Sequence, residues 1–107
     1  MSAREERLGE NESFFRRLNE HIDTVTEPPD SGYQQFLCEC GDADCVVRLP
    51  LTRSEYESAR SEPTTFIVAP GHVHHDVEVR VRGNDRFVLV RKFGEAGEVA
   101  IEQDPRS

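Results

Sequence analysis

Apolar residues near the start of the chain recur at helical spacing. Leu8, Phe15, Leu18, Ile22 and Val25 stand seven, three, four and three residues apart, forming one stripe of an amphipathic helix over residues 4–25, and Phe14 widens that stripe. Glu12 and Arg16, one turn apart, support its polar side. The pattern predicts that the stripe is buried, either against the rest of the chain or, read as a short heptad seam with Asn11 as its polar member, against a second copy of the helix. Breakers in residues 27–32, EPPDSG, end the helix and reverse the chain.

Past this linker the pattern changes to short extended runs. Residues 33–37 and 45–49 read as strands on either side of a polar knuckle, and Thr52-Arg53-Ser54-Glu55 is a capping box that opens a short helix near residues 53–60 with Tyr56 and Ala59 facing inward. Pro63 closes that element. Residues 64–68 are β-branched and aromatic, a strand ending at Ala69-Pro70-Gly71. Val77, Val79 and Val81 then alternate with Glu78, Arg80 and Arg82, and Gly83-Asn84-Asp85 turns the chain into residues 86–93, which predicts a hairpin with a charged, wet face. For residues 94–107 the expectation is a frayed tail in which Val99 and Ile101 add at most a brief strand. The fold class expected is α+β in a single domain: an N-terminal amphipathic helix over residues 1–27, then a unit over residues 28–107 with a second short helix, a small antiparallel sheet and a C-terminal hairpin.

Composition sharpens this picture. Of 107 residues 36% are hydrophobic and 32% charged, with no Trp, and a chain of this length buries only about two-thirds of its unfolded surface, so a metal or a partner surface is expected to supplement the core. A net charge of -8 repels phosphate backbones and anionic membranes, which argues against general nucleic-acid binding unless the basic residues cluster on one face, and leaves a protein partner as the expected one. Arg80, Arg82, Arg86, Arg91 and Lys92 are the one basic concentration; they could meet phosphate or an acidic partner, and are read first as the solvated face of the hairpin. No run approaches the ~20 apolar residues of a membrane span, and the start MSAREERLGENE has no apolar stretch of a secretory signal. Together with an odd number of cysteines, this points to a reducing cytoplasm.

The cysteines carry the candidate chemistry. Cys38, Cys40 and Cys45 are the only three, and all lie in FLCECGDADCVV; His72, just after Pro70-Gly71, supplies a fourth donor. Three thiolates and an imidazole make the tetrahedral shell of a closed structural zinc site. Gly41 is placed to let the backbone bring the closely spaced cysteines to one side. His74 or His75 could replace His72. Competing readings treat the cysteines as small buried hydrophobes, or Cys38 and Cys40 as a redox pair. A hydrolytic zinc enzyme would need an open coordination position and an acid or base such as Asp42, Asp44 or Asp76; no phosphate-binding glycine loop, HExxH or GxSxG occurs.

The segments NESFFRRLNEHI, FLCECGDADC, LTRSEYESAR and PTTFIVAPGH taken in this order resemble a family of small, uncharacterised bacterial proteins with a CxCx4C knuckle, an LTxxEYExxR helix and a PTxFxVxPGH segment. The resemblance spans nearly the whole chain. It implies that Cys38, Cys40, Cys45 and His72 act as a set, without His74 and His75, and implies no activity. The function expected is that of a zinc-binding regulatory or protein-interaction module, monomeric or paired through its helix, with a thiol-based redox sensor as the alternative and a zinc hydrolase as the weaker one.

Overall fold

A computed structural model describes residues 3–25 and 32–106; of the expected linker only Gly32 falls within them. The chain runs α1 (Ala3–Val25), β1 (Gln34–Leu37), β2 (Arg48–Leu51), α2 (Arg53–Ala59), β3 (Thr65–Val68), β4 (Glu78–Gly83), β5 (Val88–Lys92) and α3 (Gly94–Glu102). Among the described residues, three helices and two small antiparallel sheets make this an α+β fold. β1 and β2 pair as a two-stranded sheet, and β3, β5 and β4 form a second sheet in that spatial order.

Several elements form for the local reasons read from the sequence. At α2 the capping box is complete: the Glu55 amide donates to Thr52 Oγ1 at 3.1 Å while Glu55 Oε1 accepts from the Thr52 amide at 2.9 Å. Tyr56 and Ala59 are buried, and Tyr56 stacks on Phe36 of β1 with ring centroids 4.4 Å apart. Asn84 turns β4 into β5 by accepting from the amides of Arg86 and Phe87 at 2.8 and 3.1 Å. Every residue of β3 is buried, so both of its faces are covered.

Helix α1 forms where the periodicity places it but is rotated from the expected orientation. Glu12, Arg16, Asn19 and Asp23, one face at spacings of four, three and four, are buried, whereas Phe14 and Leu18 are 49% and 37% exposed. Phe15 and Ile22 lie between these extremes. The surface under the helix explains the rotation, because it is made of backbone polar groups and a carboxylate. Asn19 completes the edge of β1 as a backbone would, donating to Leu37 O at 2.9 Å and accepting from the Leu37 amide at 2.7 Å, and its second N–H reaches Glu39 Oε2 at 2.7 Å. Arg16 donates to Pro63 O and Ala100 O, each at 2.7 Å, with its guanidinium 4.4 Å from the Phe66 ring centre. Asn11, the polar member of the possible heptad seam, is used within the chain and donates to Gly41 O at 2.8 Å.

Two further expectations are overturned. Residues 94–102 form α3 rather than a strand: Ala96, Val99 and Ala100 recur at helical spacing, and Arg16 satisfies the Ala100 carbonyl in the final turn, which has no partner inside the helix. In β4 a register irregularity between Arg80 and Arg82 breaks the alternation. Before that break the strand already faces the other way from the expected one: Glu78 is buried and Val79 is 49% exposed. Lys92, also buried, places its ammonium between Glu78 and Glu12. Elsewhere the basic strip behaves as a surface: Arg86 grips Glu55 through two bonds of 2.9 and 2.7 Å, and Arg91 meets Glu62 at 3.0 Å.

Arg16→Ala would leave two carbonyls without their donor, so it should lower stability by about 3 kcal/mol and speed amide exchange in α3, as read by denaturant melts and hydrogen exchange. A second test concerns Glu12, whose carboxyl is pushed up to about 8 by burial, against an ordinary value of 4.5. A carboxyl with a raised folded-state pKa binds its proton more tightly in the folded chain, so its contribution is complete below 4.5 and is lost as pH climbs through 8. Glu12→Gln should therefore gain stability relative to wild type as pH rises from 5 to 8; parallel curves for the two proteins would contradict the burial of this carboxyl.

Candidate metal centre

The loop joining β1 to β2 carries all three cysteines. Its first residues stay extended after β1: the Cys38 amide donates to Val47 O at 3.2 Å, continuing the β1–β2 ladder, and the Glu39 amide donates across to Ile67 O of β3 at 2.8 Å. An extended backbone sends alternate side chains to opposite sides. Cys38 and Cys40 thus share one side without any turn between them, and Glu39 faces the other, where its carboxylate accepts from Asn19 at 2.7 Å and from the Ile67 amide at 3.0 Å. Gly41 has a different task from the one its position first implies. With φ of 84° it turns the chain just after Cys40, and the following Asp42 amide points back at the Cys40 sulfur. A side chain there would meet Glu12 Cγ at 2.9 Å and Leu8 O at 3.0 Å. Asp42 then shapes the rest of the loop, its carboxylate accepting from the Asp44 amide at 2.9 Å and its carbonyl from the Cys45 amide at 3.0 Å.

The fourth donor arrives from the other sheet. After β3, Ala69-Pro70-Gly71-His72 closes a turn with the His72 amide 3.0 Å from Ala69 O, and Gly71 adopts φ of 88°, the left-handed conformation that favours glycine after proline. The turn delivers His72 Nδ1 to 3.6 Å from both Cys38 Sγ and Cys45 Sγ. One donor atom from each of Cys38, Cys40, Cys45 and His72 lies within 4.8 Å of all the others, a group that could hold a metal ion. Zn–S of about 2.3 Å and Zn–N of about 2.0–2.1 Å separate tetrahedral sulfur and nitrogen by roughly 3.6 Å, the spacing seen around His72.

The electrostatics fit the same use. Each sulfur receives a backbone N–H: from Ala69 at 3.1 Å for Cys38, from Asp42 for Cys40 and from Val47 for Cys45. Such donors stabilise thiolates and orient them. Within the cluster the protons are unevenly held. A hydrogen bond from Cys38 brings the Cys40 thiol down to about 4, whereas Cys38 is pushed up by that same bond and by burial, and Cys45 by burial. The cluster thus holds one negative charge readily, on Cys40, whereas three charges this close need a cation among them.

His74 and His75 do not join the donors. His74 Nε2 lies 2.7 Å from the Cys40 carbonyl, and its amide donates to Glu78 Oε2 at 3.1 Å; His75 is exposed. His74 therefore clamps the cysteine loop from outside the donor set. Neither this role nor that of Glu39 was read from the sequence, although the alternation of CEC already sends Glu39 away from the sulfurs. Asp42 and Asp44 are exposed loop residues.

His74→Ala should weaken metal binding by about 10–100-fold, the usual effect of losing a group that orients ligands, while His75→Ala should leave it unchanged; competition with a chromophoric chelator measures both. Equal affinities in the two variants would remove the clamp.

Comparison with protein-family models, with curated proteins and with solved structures returns no match.

Proposed function

We propose that this chain is a small zinc-binding interaction module of the reduced cytoplasm, with Cys38, Cys40, Cys45 and His72 forming a closed structural site. The convergence of four donors from two sheets carries the reading. Zinc is the metal favoured by three thiolates and one imidazole in tetrahedral array, since soft sulfur donors suit it and a closed shell serves folding rather than catalysis. The likeness of the four quoted segments to small bacterial proteins supports the same set of ligands.

The interaction role rests on a different observation. Helix α1 turns its polar side into the domain and leaves Phe14 and Leu18 outside, and Val46 is 85% exposed beside the metal loop. These apolar side chains contribute nothing to the core and are available to a protein partner. Among the described residues no helix is long and apolar enough to cross a membrane.

Native mass spectrometry of untagged protein should find one zinc ion per chain and none in Cys45→Ser or His72→Ala. Phe14→Asp combined with Leu18→Asp should keep the zinc and the circular dichroism spectrum but lose capture of the partner in a pull-down. A chain that melts identically with and without chelator would end the structural-zinc reading; full capture by the double variant would end the helix-face reading.

A further inference from the structure

Residues 37–41 are held from two sides in alternation. Cys38 and Cys40 give their sulfurs to the candidate metal centre. The residues beside and between them, Leu37, Glu39 and Gly41, are all bonded to α1. Asn19 spans the Leu37 backbone, donating to its carbonyl at 2.9 Å and accepting from its amide at 2.7 Å, and also donates to the Glu39 carboxylate at 2.7 Å. Asn11, a little over two turns earlier in the helix, donates to Gly41 O at 2.8 Å. The helix lies so close to Gly41 that a side chain there would meet Glu12 Cγ at 2.9 Å.

The two partners are matched in length. From residue 11 to residue 19 an α-helix rises about 12 Å, and from residue 37 to residue 41 an extended chain covers about 13 Å. With Asn11 at Gly41 and Asn19 at Leu37, the helix runs antiparallel to the segment and fixes both of its ends. Only while the segment stays extended do Cys38 and Cys40 stand on the same side, so the spacing of the two asparagines sets the geometry in which those two sulfurs are presented.

We propose that Asn11 and Asn19 are positioning residues of the metal centre, through which α1 holds residues 37–41 extended before an ion binds. The proposal rests on the ligand set Cys38, Cys40, Cys45 and His72. The asparagines act through Leu37, Glu39 and Gly41 rather than on the sulfurs themselves. Ligands fixed in advance lose less conformational freedom on binding and so hold the ion more tightly. Linkage makes the effect reciprocal: an ion among the sulfurs steadies the residues that α1 grips, and whatever draws α1 off this segment loosens the metal.

The test compares zinc affinity, by competition with a chromophoric chelator, in wild type, Asn11→Ala, Asn19→Ala and Arg53→Ala. Arg53 is a matched control, because it also holds α1 through a side-chain bond of 2.8 Å to a carbonyl, that of Asp23, four residues past Asn19. Asn11→Ala and Asn19→Ala should weaken zinc binding by about tenfold and alter the visible absorption of the cobalt(II)-loaded chain, which reports ligand geometry. Arg53→Ala should do neither. Should Asn19→Ala fail to fold, Asn11→Ala decides, since Asn11 is only partly buried. Removing zinc from wild type should speed amide exchange over residues 11–19 by about fivefold more than in β5. Wild-type affinity in the asparagine variants, an equal loss in Arg53→Ala, or exchange that quickens in β5 as much as in α1 would each overturn the proposal and leave the ligand assignment standing. A wild-type chain that takes up no zinc would overturn both.

Discussion

The arrangement of this domain depends on burying one carboxylate. Cys38, Glu39 and Cys40 are consecutive residues of an extended backbone, so turning both sulfurs toward one side turns Glu39 into the interior. Burial raises its carboxyl to about 7, against the pull of the Asn19 side chain, the Ile67 amide, Arg60 and Arg16. Those compensating groups dictate the neighbours. Asn19 and Arg16 must face inward, so α1 lies on its polar side, and with a period of 3.6 residues the apolar Phe14 and Leu18 then face outward. A hydrophobic helix face in this position would leave Glu39 and the edge of β1 without donors, at a cost larger than the burial of two apolar side chains returns.

The same logic extends to the end of the chain. Arg60, at the close of α2, is buried and meets Glu20 of α1 at 2.6 Å and Asp104 just beyond α3. Arg106 reaches Glu20 at 2.7 Å and Glu57 of α2 at 2.6 Å. Buried ionic groups contribute little net stability compared with apolar packing, but each tolerates few partners, so they fix which surfaces meet. Three helices are joined here chiefly by charge and directed hydrogen bonds, while the aromatic and aliphatic core of Phe36, Tyr56, Phe66, Ile67 and Val90 lies between the sheets and α2.

The parts legible in the sequence are those whose signal is local. Thr52 and Glu55 specify a helix start within four residues, Pro70-Gly71 specifies a turn, and three cysteines in one loop announce a group of ligands whatever surrounds them. Helix α1 was legible as a helix, but its facing was not, because periodicity reports a contrast between two sides and assigns the apolar one to the interior by default. Glu78 was placed on a wet face for a related reason: alternation separates two faces without saying which is buried, and here the face of Glu78, paired with Lys92, is the inner one. Lys92 illustrates the remaining gap, since its buried position is settled by Glu12, eighty residues away along the chain.

Neither sheet is large enough to stand alone. A two-stranded ribbon is marginal in water and three short strands need a covered face, and the cysteine loop belongs to the first sheet while His72 follows β3 of the second. The two are joined by the Glu39 amide on Ile67 O, by the Ile67 amide on the Glu39 carboxylate, by the Ala69 amide on Cys38 Sγ and by His74 against the Cys40 carbonyl. A metal held by Cys38, Cys40, Cys45 and His72 would add a further point of attachment between the same two halves. Because the donors come from both halves of the core, a metal held there would act on how the two sheets meet as well as on the loop that carries the sulfurs.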